Sequence, residues 1–430
     1  MDVKNFYEIF LQNPSICTDT RTLKPGDIYI ALKGANFNGN LFANKAIEQG
    51  AAYAIVDEKP STPNSSIIQV DNSLKFLQAL ARYHRDQFKI PVLGITGSNG
   101  KTTTKELITS ILSQTYRCHA TQGNFNNHIG VPLTLLQMKS DTELAVIEMG
   151  ANHVGDIAEL CEIANPSHGL ITNVGKAHLE GFGSFDGVVR GKTELYRHIQ
   201  LNGGELFVDQ DNPHLFSRIG RSTYIAYSTL NRDASVYGKL LHSDPLLSFD
   251  YSIDQSPFYR IDALMAGDYN LKNYLAALAI GFYFNVPKEM IEKALSEYNP
   301  QNNRSQWLHS ERNRILMDAY NANPDSMQLA IHNFVKLQEE KKILVLGEML
   351  ELGEYSIAEH QKLIDLIQLS TFEAVYLVGS NFRNVSTASY PVFDQVDELR
   401  SYLQQHPITN SAILIKGSRA VALERLLDIL

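Results

Sequence analysis

The chain has 430 residues, 44% hydrophobic and 20% charged, with only 27 Gly and 15 Pro. That balance gives room for about three domains and excludes a disordered, collagen-like or coiled-coil chain. A net charge of −9 argues against a phosphate-neutralising surface, so no nucleic-acid partner is expected.

Three cysteines, Cys17, Cys118 and Cys161, stand far apart with no CxxC pair. A disulfide framework or cysteine zinc site is not expected, and a reducing compartment fits. The opening MDVKNFYEIF places Asp2, Lys4 and Glu8 where a secretory signal needs an apolar run. The longest apolar stretch, Tyr274–Phe284, is short of the ~20 residues that span a bilayer. A soluble cytoplasmic protein without a membrane partner is the expectation.

Residues 1–89 read as a small α/β unit with strands Asp27–Leu32 and Ala54–Val56, a loop Lys59–Ser66 and a helix Ser73–Phe88, closed by Pro91. Residues 90–306 open with an apolar strand Val92–Thr96, a glycine loop and a helix Thr102–Gln114. Strand Leu144–Glu148, helix Asp156–Ala164, strand Gly169–Thr172, helix Phe185–His198 and strand Gly204–Asp209 follow. Such alternation predicts a largely parallel sheet. Short alternating strands over Val236–Leu264 predict an antiparallel patch before helix Asn270–Phe284. Residues 307–430 repeat the alternation: strand Ile315–Ala319, helix Pro324–Glu340, strand Ile343–Leu346, helix Ile357–Leu366, strand Ala374–Val378, helix Asp397–Gln404, strand Ala412–Lys416 and a final helix. This is a Rossmann-like order without the GxGxxG fingerprint.

The sharpest chemical signal is VLGITGSNGKTTTK over Val92–Lys105. A buried strand turns through Gly97, Ser98, Asn99 and Gly100, and Lys101, Thr102 and Thr103 open the next helix. Backbone N–H groups and the helix end cradle phosphate there, Lys101 reaches the terminal phosphate, and Thr102 can ligate Mg²⁺. The spacing departs from GxxxxGK[ST], since position 95 is Ile and Gly94 comes one residue early. The competing reading is a glycine turn beside a surface lysine. Glu148 ends an apolar strand at the same predicted sheet edge, and His178 follows the next strand. Taken singly, His178 is more readily structural than a ligand, and Lys192 reads as a solvated lysine.

Eight ordered segments then carry a resemblance: TGSNGKTTTKE, GNFNNHIGVPLTLL, IEMGANHVGDI, ITNVGKAHLEGFGS, GDYNLKNYLAALA, MDAYNANPDSM, LGEMLELGEYS and IKGSRA, preceded by CTDTRTLKPGDIYIALKGANFNGN. They resemble the Mur ligases, which build the peptide stem of bacterial cell-wall precursors. The resemblance covers the whole chain and implies three domains. These are a small UDP-binding α/β domain, a central P-loop mononucleotide-binding domain with a mostly parallel sheet, and a C-terminal Rossmann-like domain. YNANPDSM and KGSR resemble the type that adds D-alanyl-D-alanine to UDP-N-acetylmuramoyl-tripeptide. The resemblance thus implies those two substrates as partners, with ATP and two Mg²⁺, acting through an acyl phosphate in a monomer.

It also implies roles by position. Gly97–Thr103 would hold the ATP phosphates, Thr102 and Glu148 one Mg²⁺, and His178 a second. Lys192 matches a lysine commonly carbamylated, which would face metal as a carboxylate. Lys101, His178 and Lys192 are therefore the implied catalytic groups. Asn270 would meet the adenine, Arg304 a phosphate and Asp318 the ribose, with Tyr320 and Asn321 beside the nucleotide. Thr20, Arg21, Gly34 and Asn36 would hold the UDP end, and Asn126 and Asn127 the sugar-phosphate region. Departures from the pattern are Met317, His128, Lys176 in place of a frequent Pro, and Gly-Lys-Thr-Glu around Lys192. Asn270 as a helix N-cap, Asn321 or Asn323 as turn residues, and Tyr320 as core remain open alternatives.

Lys416 and Arg419 are expected at the start of the final helix, facing the cleft and gripping the dipeptide carboxylate or the acyl phosphate. The alternative there is a surface turn. Rivals for the whole chain are a ligase of the diamino-acid-adding type, a folylpolyglutamate synthase, or a P-loop NTPase switch that forms no bond.

Overall fold

The computed structural model describes residues 2–60, 63–301 and 303–430; Ser61 and Thr62, within the expected loop Lys59–Ser66, lie outside them. Near the N-terminus, Ile16–Cys17, Ile28–Ile30, Tyr53–Val56 and Ile67–Gln69 form a four-stranded parallel sheet. The helix Ser73–Asp86 follows because Phe76, Leu77, Leu80, Ala81 and His84 share one face, and Asn72 accepts from the Lys75 N–H at 2.8 Å as its cap. That face packs on helices Gly130–Leu135 and Asp156–Ala164 of the next unit.

The central sheet has nine strands. From one edge, Cys118–Ala120, Leu144–Glu148, Val92–Thr96, His168–Ile171, Glu205–Asp209, Tyr224–Ser228 and Val236–His242 run parallel. Ser248–Ile253 and Tyr259–Asp262 then add on antiparallel, as the alternating pattern predicts. The helix Leu271–Tyr283 is buried along most of its length, which suits its nearly continuous apolar sequence. No helix among the described residues is long and apolar enough to cross a membrane.

The third sheet is ordered Gln306–His309, Arg314–Met317, Ala412–Lys416, Lys342–Gly347, Ala374–Val378 and Val392–Phe393, parallel except for its first strand. The chain beyond strand Ala412–Lys416 departs from the expected final helix. No final α-helix follows Lys416; the chain makes two 3-10 turns, Arg419–Val421 and Leu423–Leu426. Ala422 between them has φ +56°, and a left-handed residue interrupts the i to i−4 ladder.

Candidate active site

Strand Val92–Thr96 is wholly buried and lies between Leu144–Glu148 and His168–Ile171, so its loop opens where chain order reverses. Gly97 is required there. Its φ is +149°, and an added Cβ would collide with Thr172 Oγ1. The loop is knitted to its neighbour by Ser98 N–H to Asn173 O at 3.0 Å, Asn99 N–H to Asn173 Oδ1 at 2.9 Å and Thr172 Oγ1 to Asn99 O at 2.6 Å. Gly100 precedes helix Lys101–Leu112, where Lys101 folds back to donate to Gly97 O at 2.7 Å. Burial holds the Lys101 ammonium below the ordinary lysine range; Glu148 opposes that shift and Arg304 adds to it. A surface lysine does not fit this placement.

Glu148 is 1% exposed and accepts from Thr102 Oγ1 and from Asn126 Nδ2, each at 2.8 Å. Carboxylate and hydroxyl oxygens side by side at a phosphate loop are a donor set that suits Mg²⁺ with several waters retained. Asn127 Oδ1 instead accepts from Ile129 and Gly130 N–H at 3.1 and 2.9 Å, fixing the turn into helix Gly130–Leu135. His178 has a left-handed backbone, and its Nδ1 lies against the Glu351 carboxylate of the C-terminal unit. Its hydrogen bond to His178 draws the Glu351 carboxyl below the usual range.

Ser98–Thr103, Asn126, Asn127, Glu148, His178 and Glu351 line one cavity of about 1420 Å³ that continues between the central and C-terminal units. Its size exceeds the roughly 300–1,000 Å³ of a single-ligand site. On the C-terminal wall, Asp318 Oδ2 meets Lys416 Nζ at 2.6 Å, and Asp318 Oδ1 accepts from Ser305 N–H at 3.2 Å. The Arg304 guanidinium stacks 3.8 Å from the Tyr320 ring centroid, with a buried Nε that has no partner among the described residues. Tyr320 is therefore a cavity wall, not core. Asn270 Nδ2 donates to Ala266 O at 2.7 Å and its Oδ1 accepts from Asn273 at 2.9 Å, with no helix-capping bond. The N-cap reading of Asn270 is set aside. Asn323 does cap helix Pro324–Lys336, and its Nδ2 also reaches Asn99 Oδ1 at 2.7 Å across the cleft.

The Mur ligase middle-domain profile matches residues 95–281, the Mur ligase glutamate ligase domain 303–419, and the Mur ligase catalytic domain 15–85. A UDP-N-acetylmuramoyl-tripeptide--D-alanyl-D-alanine ligase of Bacillus subtilis is 33% identical over 455 residues, covering 99% of this chain and 97% of the relative. The chain belongs to the Mur ligase family. Crystal structures of MurF from Acinetobacter baumannii (30% identical, TM-score 0.86, 96% and 92% of the two chains) and from Thermotoga maritima with ADP (27%, 0.86, 97% of each) share its fold.

Within this Mur ligase, several expected positions fall elsewhere. Arg419 does not line the cavity; it is 58% exposed, pairs with Glu424 at 3.0 Å and only skirts the Tyr320 ring at 5.9 Å. Lys416 alone faces the cleft, 3% exposed, so the expected two-residue grip is divided. The helix end assigned to them is absent, as the 3-10 turns show. Thr20, Arg21, Gly34 and Asn36 lie outside the cavity on the N-terminal unit, where Arg21 pairs with Asp19 at 2.6 Å. Lys192 is no solvated lysine. It is fully buried behind the wall, donates to Ala151 O at 3.1 Å, and is held well below the lysine range by burial and then by Lys101. Asn321 is exposed at the mouth, its Oδ1 closing a turn on Ala322 N–H at 2.8 Å.

Sequence reasoning passed over Asn273, which takes the Thr104 hydroxyl at 3.1 Å and braces Asn270, and over Asp325 and Glu351. All three stood inside quoted segments, GDYNLKNYLAALA, MDAYNANPDSM and LGEMLELGEYS; only their distance in sequence from the phosphate loop concealed them.

Proposed function

We propose that this chain is the ATP-dependent ligase that joins D-alanyl-D-alanine to UDP-N-acetylmuramoyl-tripeptide, giving the pentapeptide precursor of peptidoglycan. The observation that carries the reading is one cavity, large enough for several substrates, with the phosphate loop and Glu148 on one wall and Asp318 and Lys416 on the other. The tripeptide carboxylate attacks the γ-phosphate of ATP, breaking the β–γ bridge to release ADP and form an acyl phosphate, because a carboxylate is a poor electrophile until its oxygen is made a leaving group. Lys101 exchanges its loop carbonyls for the γ-phosphate and neutralises charge as it moves. Thr102 and Glu148 would hold Mg²⁺, with His178 beside a second ion; bound Mg²⁺ supplies Lewis-acid neutralisation of phosphate oxygens.

The dipeptide amine then attacks the acyl phosphate through a tetrahedral intermediate and releases phosphate. Lys416, the one cation of the KGSR segment in the cleft, would hold an anion there once Asp318 turns to the ribose hydroxyls. Arg304 would offer its unpartnered Nε to phosphate, Asn270 would face the adenine, and Tyr320 and Asn321 would flank the nucleotide. Lys192, whose burial disfavours the ammonium form, suits carbamate formation, since only a neutral amine takes up CO₂. Residues 1–89, with Thr20, Arg21, Gly34 and Asn36, would take the UDP end, and Asn126 and Asn127 the sugar-phosphate region. The seated C-terminal unit keeps water from the acyl phosphate.

The decisive experiment is phosphate release with ATP, Mg²⁺, UDP-tripeptide and D-alanyl-D-alanine, each omitted in turn, with the product weighed by mass spectrometry. Phosphate should appear only with all four present, together with UDP-pentapeptide. ATP hydrolysis that ignores the UDP-peptide, or acceptance of glutamate or a diamino acid in place of the dipeptide, would overturn the reading.

A further inference from the structure

The loop Thr172–His178 lies between the phosphate loop and the C-terminal unit, and it is bonded to both. Toward the phosphate loop, Gly175 N–H donates to Ser98 Oγ at 2.9 Å, and Ser98 Oγ donates to Gly175 O at 3.1 Å. Toward the C-terminal unit, Lys176 N–H donates to Asp325 Oδ2 at 2.7 Å. Asp325 sits so close over Gly175 that a Cβ there would collide with its carboxylate. The Lys176 ammonium reaches Glu359 Oε1 at 3.4 Å; the Glu359 side chain is 8% exposed and also pairs with Lys362 at 2.8 Å. Two residues later His178 meets Glu351 of the same unit.

These contacts have a common consequence. The carboxylates of Asp325 and Glu359 come from the helices Pro324–Lys336 and Ser356–Gln368, which move with the C-terminal sheet. Parting the two units would strand the buried Glu359 with one exposed lysine and leave the Gly175–Lys176 turn without its outer support. Seating them fixes that turn, and with it Ser98 on one side and His178 on the other. The first bond needs a residue that keeps its N–H, and the second needs a long cation. Lys176 supplies both.

We infer that Lys176 is a positioning residue, latching the C-terminal unit onto the Thr172–His178 loop so that the phosphate loop and His178 are set only when the units close. It touches no reacting atom and acts through Ser98 and His178. The ion-pair half of the latch is separable from the N–H half: Lys176→Met removes the ammonium and keeps the N–H, Glu359→Gln removes the partner, and Lys176→Arg keeps a cation.

The test is small-angle X-ray scattering on the full chain without substrates, at low and high salt, for these three variants and the double variant Lys176→Met/Glu359→Gln. Each single charge-removing variant should enlarge the radius of gyration at low salt to the value the unaltered protein reaches at high salt. The double variant should go no further, and Lys176→Arg should stay compact. In turnover, which rests on the ligase reading, Lys176→Met and Glu359→Gln should each lower kcat about two- to fivefold, with the KM for UDP-tripeptide unchanged. Scattering profiles unaltered in both single variants, additive expansion in the double, or an arginine variant as open as the methionine one would each refute the latch. A chain that closes as described but makes no pentapeptide would instead count against the ligase reading.

Discussion

Against the N-terminal unit, the central unit presents an apolar core, rimmed by polar contacts from Gln78, Arg82 and Arg85. Phe6, Phe10, Leu77 and Leu80 share one core with Val131, Leu135, Ile157 and Leu160. Against the C-terminal unit it presents polar groups. There Asp268 N–H meets Asn333 Oδ1 at 3.1 Å, Lys336 pairs with Asp268 at 2.8 Å, Gln338 N–H meets Asp244 Oδ2 at 2.9 Å, and Trp307 Nε1 reaches Pro245 O at 3.0 Å. Among the described residues, apolar exchange across this seam is small: Ala266 joins the C-terminal core, and Tyr355 packs against the central one. Apolar area returned to water costs in proportion to the area, whereas exposed hydrogen bonds and ion pairs exchange for water at small net cost. One seam is therefore built to stay shut, and the other to open and reseat around the cavity.

The apolar seam gives the largest expected effect. Phe10 is 1% exposed, and Phe10→Ala should lower the free energy of unfolding in urea by about 3–5 kcal/mol. A loss under about 1 kcal/mol would mean that this seam is not a true core. At the polar seam the balance reverses. Lys101→Ala should leave the urea midpoint almost in place yet cut turnover by two orders of magnitude or more, about 3 kcal/mol in the barrier. Near-normal turnover in that folded variant would break the comparison at the site itself.

A third effect is set by pH. His84 sits within the apolar seam, its Nδ1 2.8 Å from Tyr7 OH and its Nε2 3.1 Å from Met138 O. Burial lowers its pKa, only partly offset by the bond to the Met138 carbonyl. A histidine whose folded pKa lies below its unfolded value near 6.5 is bound by more protons when unfolded. Its contribution is therefore complete above pH 6.5 and declines as pH falls toward the folded pKa. The melting temperature should drop between pH 7 and 5, and His84→Gln should flatten that slope. An equal slope in the variant would place the acid sensitivity elsewhere. Tyr7→Phe, which removes one hydrogen bond, should cost about 1 kcal/mol at neutral pH.

The strands that form the cavity's floor were legible because both faces are covered. Val92–Thr96, Leu144–Glu148 and Ala412–Lys416 are continuous apolar runs with the predicted bounds. Less legible were pieces whose form depends on partners far away in sequence. Helix Gly130–Leu135 is short and anchored by Asn127, and helix Lys288–Glu297 borrows its buried face from helix Lys101–Leu112. The supposed final helix failed for the opposite reason. Leu423, Leu426 and Leu430 do face the core, but through 3-10 turns broken at Ala422. At the site, the phosphate loop and Glu148 could be read from local spacing. The burial of Lys192 and the exposed pairing of Arg419 with Glu424, outside the cavity lining, are tertiary facts that no short motif encodes.

The smallest effect sharpens the comparison most, because it isolates one bond of the polar seam. Lys336 is 59% exposed and its partner Asp268 is 28% exposed, so the pair holds its units together across mostly hydrated space. Such a pair is worth roughly 0.2–1 kcal/mol, and salt screens it. Asp268 keeps its backbone tie to Asn333 when the lysine is gone, so Lys336→Ala strands no buried charge. The expected result is a melting temperature within about one degree or two of the parent, since a chain this large shifts less than the roughly 2–4 °C per kcal/mol of a 150–250-residue domain. At low ionic strength the variant should be more readily cleaved by protease near the inter-unit segment around Arg304, and at high salt it should match the parent. A stability loss as large as that of Phe10→Ala would show that the two seams do not differ in kind.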